Sequence, residues 1–134
     1  MAVAPQDFLL IARRFNFGEE GVEIELRNAY RCAYYAVHHA AKQVLPRLNL
    51  TLIKADKGGS HADVEVSLLQ AGTEQSKEVV AQMRRLKKFR VDCDYHLEKV
   101  LSRNVASARM AEAEVLFNTL QAMGGSVLAE TINH

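Results

Sequence analysis

Between Glu20 and Leu45 the apolar residues recur at Val22, Leu26, Ala29, Ala33, Ala36 or Val37, Ala40 and Val44. That alternation of three- and four-residue steps commits the whole segment to one long amphipathic helix. Alanine at so many inward positions predicts close approach to a neighbouring helix. Glu19, Glu20, Glu23 and Glu25 crowd the N-terminal end, where the helix dipole favours negative charge. Pro46 predicts the end of the run, because proline lacks the N–H that an interior helical position needs.

The other segments carry the same period. Pro5 to Phe15 reads as a short helix with Phe8, Ile11, Ala12 and Phe15 inward, ended by Asn16-Phe17-Gly18. Residues 46–60 read as a loop closing on Lys57-Gly58-Gly59-Ser60, and Ser60 with Asp63 resembles a capping box. The helix that it opens carries Val64, Leu68 and Leu69 and ends near Gly72. A fourth helix runs from Thr73 to Asp94 with Val79, Val80, Met83, Leu86 and Phe89 inward. Ser102-Arg103-Asn104 interrupts the pattern, Asn104 caps a last helix from Val105 to Met123, and Gly124-Gly125 ends it. No segment alternates in steps of two, as a half-buried strand would. The expectation is an all-α fold, an antiparallel up-and-down bundle of four to five helices. It forms one domain over residues 1–125, with a flexible tail over 126–134.

With 134 residues, 49% of them hydrophobic, the chain is long enough to close a core without staples. Its formal net charge is +1, so nucleic acid would have to meet a local basic patch and not a wholly basic surface. Cys32 and Cys93 lie in helical segments without metal-site spacing, which suits buried thiols in a reducing compartment. The N-terminal residues lack the pattern of a secretory signal, and no apolar run is long enough to span a membrane. A cytoplasmic protein is expected. No paired carboxylates, nucleophile elbow, P-loop or dinucleotide fingerprint is present. His38 and His39 are adjacent and point about 100° apart on a helix, which does not suit one shared metal. No metal or other cofactor is expected.

The chemistry concentrates in Arg90-Val91-Asp92-Cys93-Asp94-Tyr95-His96, directly after the basic run Arg84, Arg85, Lys87, Lys88 and Arg90. An arginine holds a phosphate by charge and by its fork of donors. A histidine takes or gives a proton near neutral pH. On an unbroken helix the two side chains point about 120° apart, so sharing one phosphate requires a kink, an early helix end or a second subunit. The alternative is plain: Arg90 pairs with Asp94 four residues on, His96 meets water, and the basic run is a solvated face. On the second helix Arg27, Arg31, Tyr34 and His38 make a polar stripe beside the core, suited either to a cleft or to packing. The loop Lys57-Gly58-Gly59-Ser60-His61 opens a helix with free N–H groups, as an anion site or as an ordinary capped turn.

Two of these segments resemble one family. Ala33-Tyr34-Tyr35-Ala36-Val37-His38-His39-Ala40-Ala41 resembles the "AYYAxFHAA" helix of the HEPN superfamily, the higher eukaryotes and prokaryotes nucleotide-binding domain. Leu86-Lys87-Lys88-Phe89-Arg90-Val91-Asp92-Cys93-Asp94-Tyr95 resembles that family's later "LxxxRxxADY" segment, and an alanine-rich last helix follows. The resemblance covers residues 20–120. Cys32 stands where the family often has arginine, with Arg31 one place earlier, and His38 stands where it has an aromatic. The resemblance implies a helical bundle that homodimerises with its second and fourth helices near the groove. In the family's ribonucleases an arginine and a histidine with four to six residues between them cleave RNA without metal, and Arg90 and His96, with five between, fit that spacing. His96 would then be the acid or base, Arg90 would stabilise the phosphate charge, Tyr95 would orient or stack, and Asp94 would orient. Arg84, Arg85, Lys87, Lys88, Arg27, Arg31 and His38 would contact the RNA. Such members act as toxins, with a nucleotidyltransferase-like antitoxin as partner, or in phage defence. Other members lack the histidine, and those imply a non-catalytic dimeric module that binds a partner protein, a nucleotide or RNA.

Overall fold

The computed structural model describes residues 3–14 and 23–132, with 124–132 as backbone. Among these residues five helices follow one another, α1 (Pro5–Arg13), α2 (Glu23–Arg47), α3 (Gly59–Leu69), α4 (Glu74–Tyr95) and α5 (Arg103–Ile132), and there is no strand. The chain is an all-helical bundle. Its axis is α2, which packs against each of the other four. The expected inward residues Leu26, Ala29, Ala33, Ala36, Val37, Ala40 and Val44 are all buried. Val22 lies outside the described residues. A large side chain at Ala33, which is fully buried, would overpack this contact by about 1–3 kcal/mol.

Because α2 has neighbours on several sides, its buried surface is wider than one stripe. Tyr30 and Tyr34 are as deeply buried as the alanines, and Arg27 and His38 go inside with them. Tyr30 donates to the Leu86 carbonyl at 2.8 Å and meets Phe89 edge-on, with ring centroids 4.5 Å apart. Those contacts set α4 against α2.

Several boundaries differ from the sequence pattern, each for a local reason. In α1 the buried residues are Pro5, Leu9 and Ala12, while Ile11 is exposed. Phe15 and the expected stop at Asn16-Phe17-Gly18 lie outside the described residues, as do Glu19 and Glu20. Pro46 does not stop α2. It removes one backbone bond in the last turn, and the helix runs one residue past it to Arg47, with Asn49 beyond the end adopting φ 57°. Leu50 N–H donates to the Leu45 carbonyl at 2.8 Å and Asn49 N–H to that of Pro46 at 3.1 Å, a left-handed cap. The Ser60–Asp63 capping box is absent as well. Gly58, at φ 103°, is the N-cap, and Asp63 instead accepts from Ala55 N–H at 2.8 Å. Thr73 caps α4 by accepting from Ser76 N–H at 3.0 Å. Asn104 is inside α5, and Ser102 accepts from Val105 N–H in its place. Gly124-Gly125 does not end α5, which continues to Ile132 through most of the segment assigned to a tail.

Cys93 is buried and Cys32 half-buried, both as free thiols, and burial pushes the Cys93 thiol up to about 12. No described helix is long and apolar enough to cross a membrane.

Candidate functional site

The C-terminal end of α4 is fixed by an arginine from α2. Arg27 is 3% exposed, and its Nη1 donates to the carbonyls of Asp92, Cys93 and His96 at 3.1–3.2 Å. Its Nη2 reaches the carbonyls of His96 at 3.3 Å and Lys99 at 2.5 Å, and the Glu23 carboxylate at 3.4 Å. The last carbonyls of a helix have no partner within it, and a buried guanidinium supplies five donors to satisfy them. Glu23 closes the arrangement by accepting from Leu101 N–H at 2.7 Å. That bond, together with Arg27, holds the Glu23 carboxyl below the usual range. Arg27 is therefore a structural clamp, with no donor turned outward for the phosphate contact expected of it.

One turn along α2, the two segments that carry the family resemblance meet. Asp94 accepts from Arg31 Nε at 2.6 Å and from Arg90 Nη1 at 2.9 Å, so one carboxylate joins two arginines on two helices. The Arg90 guanidinium carbon lies 5.3 Å from the centre of the Tyr34 ring. Tyr34 Oη lies 2.8 Å from Nδ1 of His61, at the start of α3. Burial raises the Tyr34 pKa, so the hydroxyl keeps its proton within this bond. The His38 and His61 rings lie 4.3 Å apart, and His39 is 5.2 Å from His38. Burial depresses all three imidazoles, His38 down to about 4, and Arg90 adds to the shift at His38 and His61. The cluster is thus held neutral beside a cation. Two of its buried polar atoms, Nε of Arg90 and Nδ1 of His38, have no hydrogen-bond partner.

His96 belongs to a different neighbourhood. It is the C-cap of α4, its N–H donates to the Asp92 carbonyl, and its own carbonyl is one of those that Arg27 holds. The imidazole is 42% exposed, 3.8 Å from Asp92 and 3.5 Å from Glu98. Helix α4 ends at Tyr95, and the two side chains share no carboxylate: Arg90 pairs with Asp94, and His96 lies near Asp92 and Glu98. Tyr95 is 70% exposed, beside Leu97 at 71% and Val100 at 88%.

The basic run is largely neutralised from within. Glu65, buried on α3, accepts from Arg84 Nε at 3.0 Å and from Lys87 Nζ at 2.7 Å. Glu112 on α5 accepts from Arg85 at 2.7 Å and from Arg109 at 2.8 Å. Of the five cations, Lys88 alone has no ionic partner among the described residues. Two clefts lie elsewhere, one between α4 and α5 at Leu86, Arg85 and Val115, the other between α1 and α2 at Phe8 and His39. Among the described residues no three His, Cys, Asp or Glu side chains are grouped to hold a metal ion.

Reading the chain as sequence missed His61 and Glu65 as neighbours of the second and fourth helices. Glycine before His61 was the available signal, since Gly58-Gly59 at φ 103° and 65° turns the chain so that α3 starts against α2. The chain matches no family model, no curated protein and no solved structure.

Proposed function

We propose that the chain is a cytoplasmic HEPN-type module that homodimerises and binds a partner without cutting RNA through Arg90 and His96. The observation that carries this reading is the Arg90–Asp94 pair. Arg90 is locked to its own helix and to Tyr34, while His96 sits with other carboxylates around the end of α4. The neutralised basic run points the same way, because RNA would have to displace Glu65 and Glu112 to reach most of it. Support for the family comes from its two motif segments meeting where the Arg90 guanidinium lies against the Tyr34 ring. The exposed Tyr95, Leu97 and Val100 offer the apolar surface that a second subunit would cover.

That surface also favours a second reading. His96 stands among those exposed residues, where a second copy would bring its own Arg90. The chain would then be a metal-independent endoribonuclease of toxin–antitoxin or phage-defence type, with a nucleotidyltransferase-like antitoxin. An RNA 2′-hydroxyl would attack the adjacent phosphorus and the P–O5′ bond would break, leaving a 2′,3′-cyclic phosphate and a 5′-hydroxyl. His96 would take the 2′ proton or deliver one to the leaving oxygen, and Arg90 would stabilise the phosphorane charge.

Structured RNA incubated with the purified protein in chelator separates the two. The module reading expects no cyclic phosphate ends. Cyclic ends that disappear with His96→Ala establish the nuclease reading instead.

A further inference from the structure

We propose that the first turn of α3, together with His61, His38 and Arg90, is an oxyanion site that takes a phosphate group. The site shares Arg90 with both functional readings above, but it draws on the Nε of that residue and not on the Nη1 that pairs with Asp94. Helix α3 begins at Gly59 with Gly58 as its N-cap, and no side chain caps its first N–H groups. A helix start of that kind presents unpaired donors and the positive end of the dipole to an anion. The independent observation lies on α2: His38 is 6% exposed, its Nδ1 has no partner, and its ring is 4.3 Å from that of His61 in the same turn of α3. On α4, Nε of Arg90 is a second buried donor without an acceptor.

Charge agrees with this assignment. Asp94 is shared by Arg31 and Arg90, and Glu65 by Arg84 and Lys87. Two carboxylates against four cations leave a positive excess that a phosphate dianion would match. A tetrahedral oxyanion also suits donors that come from three helices. As folded, the two unpartnered atoms are closed to water, and His61 is the half-exposed member of the group. To reach them, phosphate has to displace the His61 ring from its bond to Tyr34. Gly58 is needed for this geometry, since a Cβ there would stand 2.7 Å from that of Ala62 at a backbone angle of φ 103°.

The test is nitrogen-15 spectroscopy of the histidines in the full-length chain, with inorganic phosphate titrated in at constant ionic strength. The expected result is a saturable shift of the His38 and His61 ring nitrogens and of the Ser60 and His61 amides. Both imidazoles should then titrate at higher pH than without phosphate. The groups that face them are His39 and Lys42 on α2, Glu65 on α3, and Lys87 and Arg90 on α4. Ser60→Asp is exposed and compatible with a first helical turn, and it should keep the fold while abolishing the shift. Shifts no larger than sodium chloride gives, or phosphate binding unchanged in Ser60→Asp, overturn the proposal. Adenosine monophosphate and a 2′-O-methyl RNA lacking terminal phosphates then separate a terminal phosphate from a backbone one. His96→Ala should leave phosphate binding as it is, so loss of RNA cleavage in that variant and loss of this site are read apart.

Discussion

Arg27 and Arg90 both lie between α2 and α4, and both are drawn off the surface, yet they are not equivalent. Arg27 reaches from α2 to the end of α4 and has carbonyls or a carboxylate at both terminal nitrogens. Arg90 reaches back from α4 to α2, shares its one carboxylate with Arg31, and keeps an unpartnered Nε beside an unpartnered His38. A buried arginine surrounded by backbone acceptors is a fastening. One that retains a donor in a positively charged, neutral-histidine setting is available to a ligand. The difference is one of satisfaction and not of depth.

The largest effect is expected where the fastening is removed. Arg27→Met removes the guanidinium donors from the carbonyls of Asp92, Cys93, His96 and Lys99, of which Asp92 and His96 keep a backbone N–H, and should destabilise the chain by about 3 kcal/mol. In thermal unfolding that is a fall in Tm of roughly 10 °C. A loss below about 1 kcal/mol would break the comparison at its firm end.

Glu65→Gln should come next. It removes the charge that holds Arg84 and Lys87 but keeps the side-chain volume, for a loss of about 1–2 kcal/mol in urea unfolding. It also frees two cations, so binding of single-stranded RNA in a filter assay should tighten and become more salt-dependent. Unchanged RNA binding would mean that these cations never face the nucleic acid.

Arg90→Met sharpens the contrast with Arg27. Asp94 keeps Arg31, and His38 and His61 lose a repelling neighbour, so the cost should stay below about 1 kcal/mol.

The smallest effect is one of pH. His38 is depressed to about 4 by burial, with His61, His39, Lys42 and Arg90 contributing. The unfolded chain therefore binds a proton there between pH 6.5 and 4 that the folded chain does not. The stability linked to His38 is complete above pH 6.5 and is lost as pH falls towards 4. His38→Phe, which restores the aromatic of the resembled motif, should flatten the Tm profile in that window. A profile as steep as that of the natural chain would show that His38 is not the group responsible.

How far the sequence reaches can be argued from these same residues. The alanine stripe of α2 was legible because a 3.6-residue period records burial directly. Arg27, Tyr34 and His38 read as a polar stripe beside the core with two possible uses, because periodicity assumes one buried face, whereas α2 is enclosed by four helices. The basic run read as a patch because its counter-charges come from elsewhere, Glu65 from α3 and Glu112 from α5. Arg90 with Asp94 was legible as a four-residue pair. Asp94 with Arg31, separated by 63 residues, was not. Pro46 and Gly124-Gly125 failed as stops because each perturbs only a few backbone groups within a longer, well-packed helix.

The division between the two arginines is tested most directly by measuring Tm with and without inorganic phosphate for the natural chain, Arg27→Met and Arg90→Met. The expected result is a phosphate-dependent rise in the natural chain, the same rise from a lower baseline in Arg27→Met, and no rise from a nearly unchanged baseline in Arg90→Met. A rise retained in Arg90→Met, or lost in Arg27→Met, would contradict it.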